Sequence, residues 1–317
     1  MQVWRGTAEV PEDLERTFVT IGNFDGVHRG HRAVLAELVA EARAAGAPAV
    51  VVTFDPHPAQ VHRPDEAPPL LTGLVDRLEL LAQTGVDAVL VLSYTLDFAR
   101  ATPEEFVLAY LVGALRARGV VIGADTRFGW QNAGDRRTMA ELGARHGFTV
   151  RVVDDVAGDD APQRWSSSWV RELLTVGDVA GAAQVLGRPH RIRGVVVHGE
   201  ARGRELGYPT ANLDPAASGA VPADGVYAGW LLRAGTDGVP ERLPAAVSIG
   251  VNPTFDGVVR QVEAYVLGRT DLELYGEEVV VELVQRLRPT VRFDGVDALV
   301  AQMADDTAET ARILGVC

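Results

Sequence analysis

His28 and His31 stand three residues apart, on either side of Gly30, within the stretch VTIGNFDGVHRGHRAVLAEL (19–38). They lie just ahead of an apolar helical stripe formed by Leu35, Leu38, Val39 and Ala42. Before them, Val19, Ile21 and Phe24 mark a buried strand whose turn is opened by Gly22 and Gly26. A helix N-terminus presents unpaired N–H groups and the positive end of the macrodipole, so it attracts phosphate. Two imidazoles added there would grip a triphosphate and stabilise charge that builds up on it during reaction. Gly22, Phe24, Asp25 and Gly30 belong to the same turn and are candidates for wrapping it around a nucleotide.

Other segments carry chemistry-bearing residues at comparable density. TFDPHP (53–58) has Pro56 and Pro58 stiffening a turn that presents Asp55 and His57, although a capped strand end accounts for it equally well. WSSSWVREL (165–173) opens a helix with Ser166, Ser167 and Ser168, and Arg171 lies one turn in. Capping alone would explain the serines; beside the histidines, they supply hydroxyls and a cation at a second helix start. Two helix starts facing one triphosphate suit nucleotidyl transfer, which needs no protein nucleophile, only positioning and charge stabilisation. The Gly-rich loop GADTRFGWQNAGD (123–135) interleaves Arg127, Phe128 and Trp130, and could hold an aromatic acceptor by stacking or be a mobile surface loop.

In the second half, HGEARGRELGYPTANL (198–213) is the densest element. Gly199, Gly203 and Gly207 let the backbone approach a ligand closely, and Arg202 and Arg204 supply charge. Thr210 and Asn212 are two apart, so in an extended segment they point the same way. Neutral oxygens on one face suit a magnesium ion that keeps several waters and bridges substrate phosphates. Glu263, inside VEAYVL, shares a face with Tyr265 and Leu267 and could take a proton from an alcohol attacking a γ-phosphate. The loop SIGVNPTFDG (248–257), which includes Asn252, is compact enough to close over a ligand.

Composition narrows the setting. The chain has 317 residues, 47% of them hydrophobic, enough for one large or two ordinary domains without a disordered tract. No apolar run approaches the ~20 residues needed to span a bilayer. The start, MQVWRGTAEVPEDLER, lacks the apolar core of a secretory signal. The only cysteine is Cys317, which rules out disulfide scaffolding and thiolate metal sites, so a soluble cytoplasmic protein is expected. The net charge of −13 argues against a nucleic-acid partner, and no membrane partner is indicated. An oligomer is possible but nothing in the sequence points to one. All thirty basic residues are arginine. Any fixed side-chain cation on a phosphate must therefore be arginine or protonated histidine, and P-loop and protein-kinase architectures, which use a lysine there, are excluded.

The elements that must position these residues change rhythm partway along. Up to about residue 186, short apolar runs alternate with helical patterns. The runs are AVVVTF (49–54), DAVLVLSY (87–94), VVIGAD (120–125) and FTVRVVDD (148–155). The helices fall at 73–85, 103–119 and near 135–147. This pattern predicts a parallel sheet covered on both faces, with its site beyond the carboxyl ends of the strands. From about residue 188, IRGVVVHG, GVYAGWLL, LPAAVSIG, VEAYVLG and EEVVVELVQRLRP read as strands separated by Gly, Pro and Asp turns. They predict an antiparallel barrel or sandwich, followed by an amphipathic helix with Leu299, Met303 and Ile313 on its apolar side. The boundary is expected near Gly187–His190, giving domains 1–186 and 187–317.

Taken in order, IGNFDGVHRGH, TFDPHP, SSSWVR, LGRPHRIRG, GRELGYPTANL, GVYAGW, IGVNPTF, VEAYVL, DLELYGEEVVVELVQRLRP and the final helix resemble the bifunctional bacterial riboflavin kinase/FMN adenylyltransferase family. The resemblance spans nearly the whole chain. It implies an N-terminal Rossmann-like nucleotidyltransferase that joins FMN and ATP into FAD and pyrophosphate. A C-terminal six-stranded antiparallel β-barrel with a terminal helix would phosphorylate riboflavin to FMN. His28 and His31 would hold the ATP phosphates of the first reaction, with Ser166, Ser167 and Arg171 as the second phosphate-binding motif. Thr210 and Asn212 would bind Mg2+ and the phosphate of the second ATP, with Gly199, Arg202 and Gly203 beside them. Glu263 would be the base on the ribityl hydroxyl. Flavin contacts would come from Asp55, His57, Asp125, Arg127 and Phe128 in the first module, and from Asn252 and Arg288 in the second. Where the family has Ser-Ser-Thr, this chain has Ser166-Ser167-Ser168, a loss of one methyl group. Competing readings are a single active module on an inert scaffold, a flavin-binding regulator without turnover, and adenylyl transfer to another phosphorylated acceptor. The PTAN segment has no purpose in the last.

Overall fold

The computed structural model describes residues 1–155, 163–199, 206–235, 239–254 and 257–316, with side chains at 252–254 and 257–259 outside the description. The chain forms two compact units, Met1–Pro68 with Leu74–Ser166, and Pro69–Gly73 with Ser167–Cys317.

The first unit is a six-stranded sheet in the order β1-β4-β3-β2-β5-β6, built from β1 (Gln2–Arg5), β2 (Thr17–Ile21), β3 (Ala49–Asp55), β4 (Ala88–Ser93), β5 (Ala117–Gly123) and β6 (Thr149–Val153). Every neighbouring pair is parallel. Its helices are α1 (Arg29–Ala44), α2 (Pro58–His62), α3 (Leu74–Ala82), α4 (Pro103–Phe106) and α5 (Arg136–His146). Alternate strand residues feed two cores. Val19, Ile21, Val50, Val52 and Leu90 pack on one face, and Phe18, Val51, Val89 and Val121 pack on the other with Leu35 and Leu38 of α1. Each fully buried Leu contributes roughly 2 kcal/mol of apolar transfer. The doubly covered parallel sheet expected from the apolar runs is therefore present. The chain steps outward from β2 to β3 and β4, then returns to the other flank of β2 as β5. That reversal puts the switch point beside the turn after β2, where open α/β sheets bind ligands.

Two local features depart from the sequence reading. β1 is an edge strand in which only Trp4 is buried, too short to leave a periodic signal. The helix anticipated over 103–119 is shorter. The capping box of Thr102 and Glu105 starts α4, a π-helical turn continues over Val107–Ala114, and Arg116 at φ +49° breaks the run into β5.

The second unit is a closed barrel in the order β10-β11-β8-β7-β12-β9. Its strands are β7 (His190–Val197), β8 (Thr210–Leu213), β9 (Gly225–Ala234), β10 (Pro240–Thr254), β11 (Gly257–Val266) and β12 (Glu278–Arg288), all paired antiparallel. The family resemblance implied this six-stranded barrel, and the PTANL segment supplies its shortest stave. Val262, Ala264 and Val266 alternate inward along β11, while Gln261, Glu263 and Tyr265 stand on the opposite face. α6 (Ser167–Thr175) and α7 (Val179–Leu186) belong to this unit, and α7 buries Val179, Ala182, Val185 and Leu186 and packs on β12 and β7. The compact units thus part twenty residues before Gly187. The terminal helix α8 (Val296–Leu314) buries Asp306 and Thr310, while Leu299, Met303 and Ile313 are only partly covered.

Candidate active sites

In the first unit, His28 is the N-cap of α1, its Nδ1 accepting the N–H of His31 at 3.3 Å. An accepting Nδ1 leaves the proton of the neutral ring on Nε2. The two imidazoles stack with centroids 3.6 Å apart and planes 22° apart, and Phe24 meets His31 edge-on at 5.2 Å. Gly30 makes the stack possible, because a Cβ there would meet His28 and the Trp165 carbonyl at 3.1 Å. The preceding turn is strained: Phe24 and Val27 both have positive φ (49° and 40°), an unusual state for a β-branched residue. Gly22 donates its N–H to the Val52 carbonyl, and Asp25 is buried.

Burial, and then the neighbouring His28, hold His31 well below its ordinary pKa of 6.5. Its Nδ1 is buried and has no hydrogen-bond partner among the described residues. Burial therefore disfavours the protonated form of the His31 ring, and an anion arriving at the helix tip would favour it.

Across the carboxyl edge, Asp55 ends β3 and His57 caps α2, its Nδ1 accepting the Ala59 N–H at 3.1 Å while Gln60 Oε1 accepts its own N–H. Capping thus occupies His57 Nδ1. Arg77, which the sequence reading passed over, is buried between the two turns and donates to the Asn23 and Phe54 carbonyls at 3.0 Å each. Asp125 pairs with Arg164 at 2.9 Å, and Arg127 is exposed. Phe128 corrects the expectation of a stacking platform on a surface loop. It is buried, paired through its backbone with Gly134 and packed 6.1 Å from Phe106, while Trp130 is the exposed ring. Phe128 turns inward because the apolar cluster of Phe98, Phe106 and Tyr110 offers a larger buried surface than the loop does. Trp165 lies beneath Arg29 at 5.3 Å, so Ser166 follows directly on the chain that closes against the α1 start. Ser167 begins α6, and Arg171 Nε donates to the Pro69 carbonyl at 2.8 Å within the second unit.

In the second unit, β8 and β11 pair with Asn212 opposite Glu263 and Thr210 opposite Tyr265. Thr210 Oγ1 lies 3.4 Å from Glu263 Oε2 and 3.4 Å from Asn212 Nδ2, so the spacing of two does bring both side chains to one face. Asn212 is buried, and its Oδ1 accepts from Gln261 Nε2 at 2.8 Å. Gly199 passes so close that a Cβ there would sit 2.5 Å from Asn212 Nδ2. The close approach is to the Asn212 side chain itself. A small open depression lined by Thr210, Ala211, Ala264, Val266, Arg269 and Tyr275 adjoins the cluster. His198 stacks on Tyr275 at 3.9 Å. Arg202 and Gly203 lie outside the described residues, as does the Asn252 side chain. Arg288 donates to both Asp306 oxygens, at 2.9 and 2.6 Å, anchoring α8 to β12. Among the described residues no group of three or more His, Cys, Asp or Glu could hold a metal.

Comparisons with known proteins agree with this division. A family model described as FAD synthetase matches residues 10–168, and one described as riboflavin kinase matches 186–314. Bifunctional riboflavin kinase/FMN adenylyltransferases are 37% identical in Escherichia coli strain K12, over 95% of this chain and 94% of that one. They are also 37% identical in Listeria monocytogenes, over 92% and 90%. A crystal structure from Streptococcus pneumoniae, described as a macrolide-efflux protein, superposes with a TM-score of 0.85 at 31% identity over 97% of both chains. No described helix of the present chain is long and apolar enough to cross a membrane. A histidine-tipped parallel sheet and a Thr-Asn-Glu barrel, matched to these relatives over nearly their full length, leave one conclusion: the chain belongs to the bifunctional riboflavin kinase/FMN adenylyltransferase family.

Proposed function

We propose that the chain makes FAD from riboflavin in two ATP-dependent steps, phosphoryl transfer by residues 187–317 and adenylyl transfer by residues 1–186. The observation that carries the reading is the presence of two separate oxygen- and nitrogen-rich clusters, one at the α1 tip and one on the β8–β11 face.

In the barrel, Glu263 takes the proton from the ribityl hydroxyl as its oxygen attacks the γ-phosphorus of ATP, and ADP leaves. Thr210 Oγ1 is a hard, neutral donor beside the Glu263 carboxylate, and Asn212, which turns Nδ2 toward Thr210, keeps on Oδ1 a second lone pair beyond the Gln261 bond; such a set would suit Mg2+ retaining waters and phosphate oxygens. When bound, that ion would neutralise charge on the transferring phosphates. Gly199, Arg202 and Gly203 are assigned to the polyphosphate, and Asn252 to riboflavin.

In the α/β module, a phosphate oxygen of FMN attacks the α-phosphorus of ATP and pyrophosphate leaves. No protein nucleophile is involved. His28 and His31 stabilise the charge that develops on the leaving phosphates, with Gly22, Phe24, Asp25 and Gly30 shaping the turn. Ser166, Ser167 and Arg171 are assigned as further phosphate ligands, and Asp55, His57, Asp125 and Arg127 to the flavin end. A cytoplasmic setting accords with a single cysteine in 317 residues.

The test is a time course with riboflavin, ATP and Mg2+, separating FMN from FAD. FMN should rise first and FAD follow. A protein that forms neither, or that releases FAD without FMN ever serving as acceptor, would refute the reading.

A further inference from the structure

A buried guanidinium holds together the two turns that carry the α/β chemistry. Arg77 belongs to α3, on the face it shares with Leu74 and Leu81, and is 2% exposed. One amino group donates to the Asn23 carbonyl in the turn that leads to His28, and the other to the Phe54 carbonyl near the end of β3, one residue before Asp55. Asp55 Oδ1 lies 3.7 Å from the second amino group, and the charge of buried Asp25 also acts on the guanidinium. Asn23 O accepts a further bond from Thr53 Oγ1 at 3.2 Å. Nε is buried without a hydrogen-bond partner among the described residues. So the side chain is spent on two backbone acceptors, one in the turn after β2 and one near the end of β3. A buried arginine is costly to keep, and only the planar fork of a guanidinium can satisfy two carbonyls in fixed relation.

We propose that Arg77 is a positioning residue for FMN adenylylation, setting the distance and angle between the phosphate-holding turn and the Asp55–His57 turn. This rests on the reading of the α/β module given above. The Asn23 carbonyl immediately precedes Phe24, the first positive-φ residue of the strained segment ending at Val27, and a strained turn keeps its shape only when its surroundings fix it. Arg77 provides that fixture with one amino group and holds the end of β3, which leads into the Asp55–His57 turn, with the other. Its charge also offsets Asp25 and Asp55, two carboxylates that would otherwise repel an incoming polyphosphate. In-line attack depends on the register of two bound substrates, and a displacement of about 1 Å lowers the rate by roughly 100-fold.

The experiment compares the full chain with Arg77→Lys and Arg77→Met. It measures kcat and KM for FAD formation from FMN, single-ligand affinities for FMN and for α,β-methylene ATP, and riboflavin phosphorylation as an internal control. The positioning role predicts a fall in kcat of about 10- to 100-fold, single-ligand affinities within about threefold of wild type, and unchanged phosphorylation. Lysine should restore less than half of the deficit, since an ammonium lacks the planar fork that serves two carbonyls at once. An unchanged kcat in either variant would overturn the proposal, as would parallel loss of both affinities with the kcat. Should both variants fail to fold, Thr53→Val removes the second bond to Asn23 O and decides the matter. Lower kcat at unchanged affinities supports positioning, and unchanged kcat refutes it. A wild-type chain that makes no FAD from FMN would instead dispose of the underlying assignment, before any variant is compared.

Discussion

Gln261 Nε2 donates to Asn212 Oδ1 at 2.8 Å, and this bond fixes which way the Asn212 amide faces. With Oδ1 held by Gln261, Nδ2 turns toward Thr210 O and Oγ1, and the Thr-Asn-Glu cluster acquires one arrangement. Gln261→Leu should lower riboflavin phosphorylation about tenfold, the usual cost of losing an outer partner of a metal or phosphate ligand. FAD formation from supplied FMN should be unaffected. Assaying the two half-reactions separately checks both expectations.

Glu263→Gln keeps the side-chain shape opposite Asn212 but cannot accept a proton. Phosphorylation of riboflavin should fall by roughly 100-fold or more with little change in KM, as for the loss of a general base. If the variant keeps wild-type kcat at neutral pH, Glu263 is not the base.

His31→Ala should have the converse pattern, with FAD formation down on the order of 100-fold and FMN formation intact. The loss reflects a missing charge stabiliser at the α1 tip, because His28 still caps the helix. Loss of both activities in a folded variant would contradict the division of labour between the units.

The lowered pKa of His31 has a pH signature. The unfolded chain takes up a proton near the ordinary value of 6.5, whereas the folded ring resists it. The contribution of this site to stability is thus complete above 6.5 and declines as pH falls from 6.5 toward the folded value. The thermal midpoint of the α/β unit should drop more steeply between pH 7 and 5 in wild type than in His31→Asn. ATP, by favouring the protonated ring, should bind with net proton uptake at pH 6. Calorimetry in two buffers of different ionisation enthalpy reads this, and His31→Asn should reduce it.

Arg288 was expected at the flavin, and its guanidinium is engaged by Asp306, itself bonded by Gln302 at 3.0 Å. Breaking a buried ion pair from one side typically costs about 3 kcal/mol. Arg288→Met should therefore lower the midpoint of the barrel unit, and adding Asp306→Leu should recover much of the loss. A stable Arg288→Met variant with a raised riboflavin KM would point instead to direct flavin contact.

Motif spacing revealed those parts of the sites whose residues lie close in sequence. His28 and His31 are three apart at a helix start, and Thr210 and Asn212 two apart in a strand, so period alone places each pair on one side. The parallel sheet followed from apolar runs, because strands buried on both faces leave no alternation to mistake. What escaped depends on distance across the fold. β1 has one buried residue, so it carries no pattern. The link between Arg288 and Asp306 joins a strand to a helix 18 residues later, with no local trace. Arg77 did leave one: it interrupts the stripe of Leu74 and Leu81 at helical spacing, and a charge on an apolar face asks for buried partners. Gln261 left another, two residues before Glu263 on the same side of β11.

The barrel closes through its smallest component. β8 is four residues long, pairs with β11 through Thr210–Asn212 and with β7 through Asn212 and Leu213, and it carries Thr210 and Asn212, the residues proposed above to hold the ion. Segments with few ladder bonds open first, without the rest of the molecule unfolding. The seam of this barrel is accordingly the part that carries the proposed site, and transient unzipping there would separate Thr210 and Asn212 from Glu263 while the remaining staves stay intact. Substrate occupancy should be felt as a local weld, slowing amide exchange at residues 210–213 far more than at 279–283 in the first half of β12.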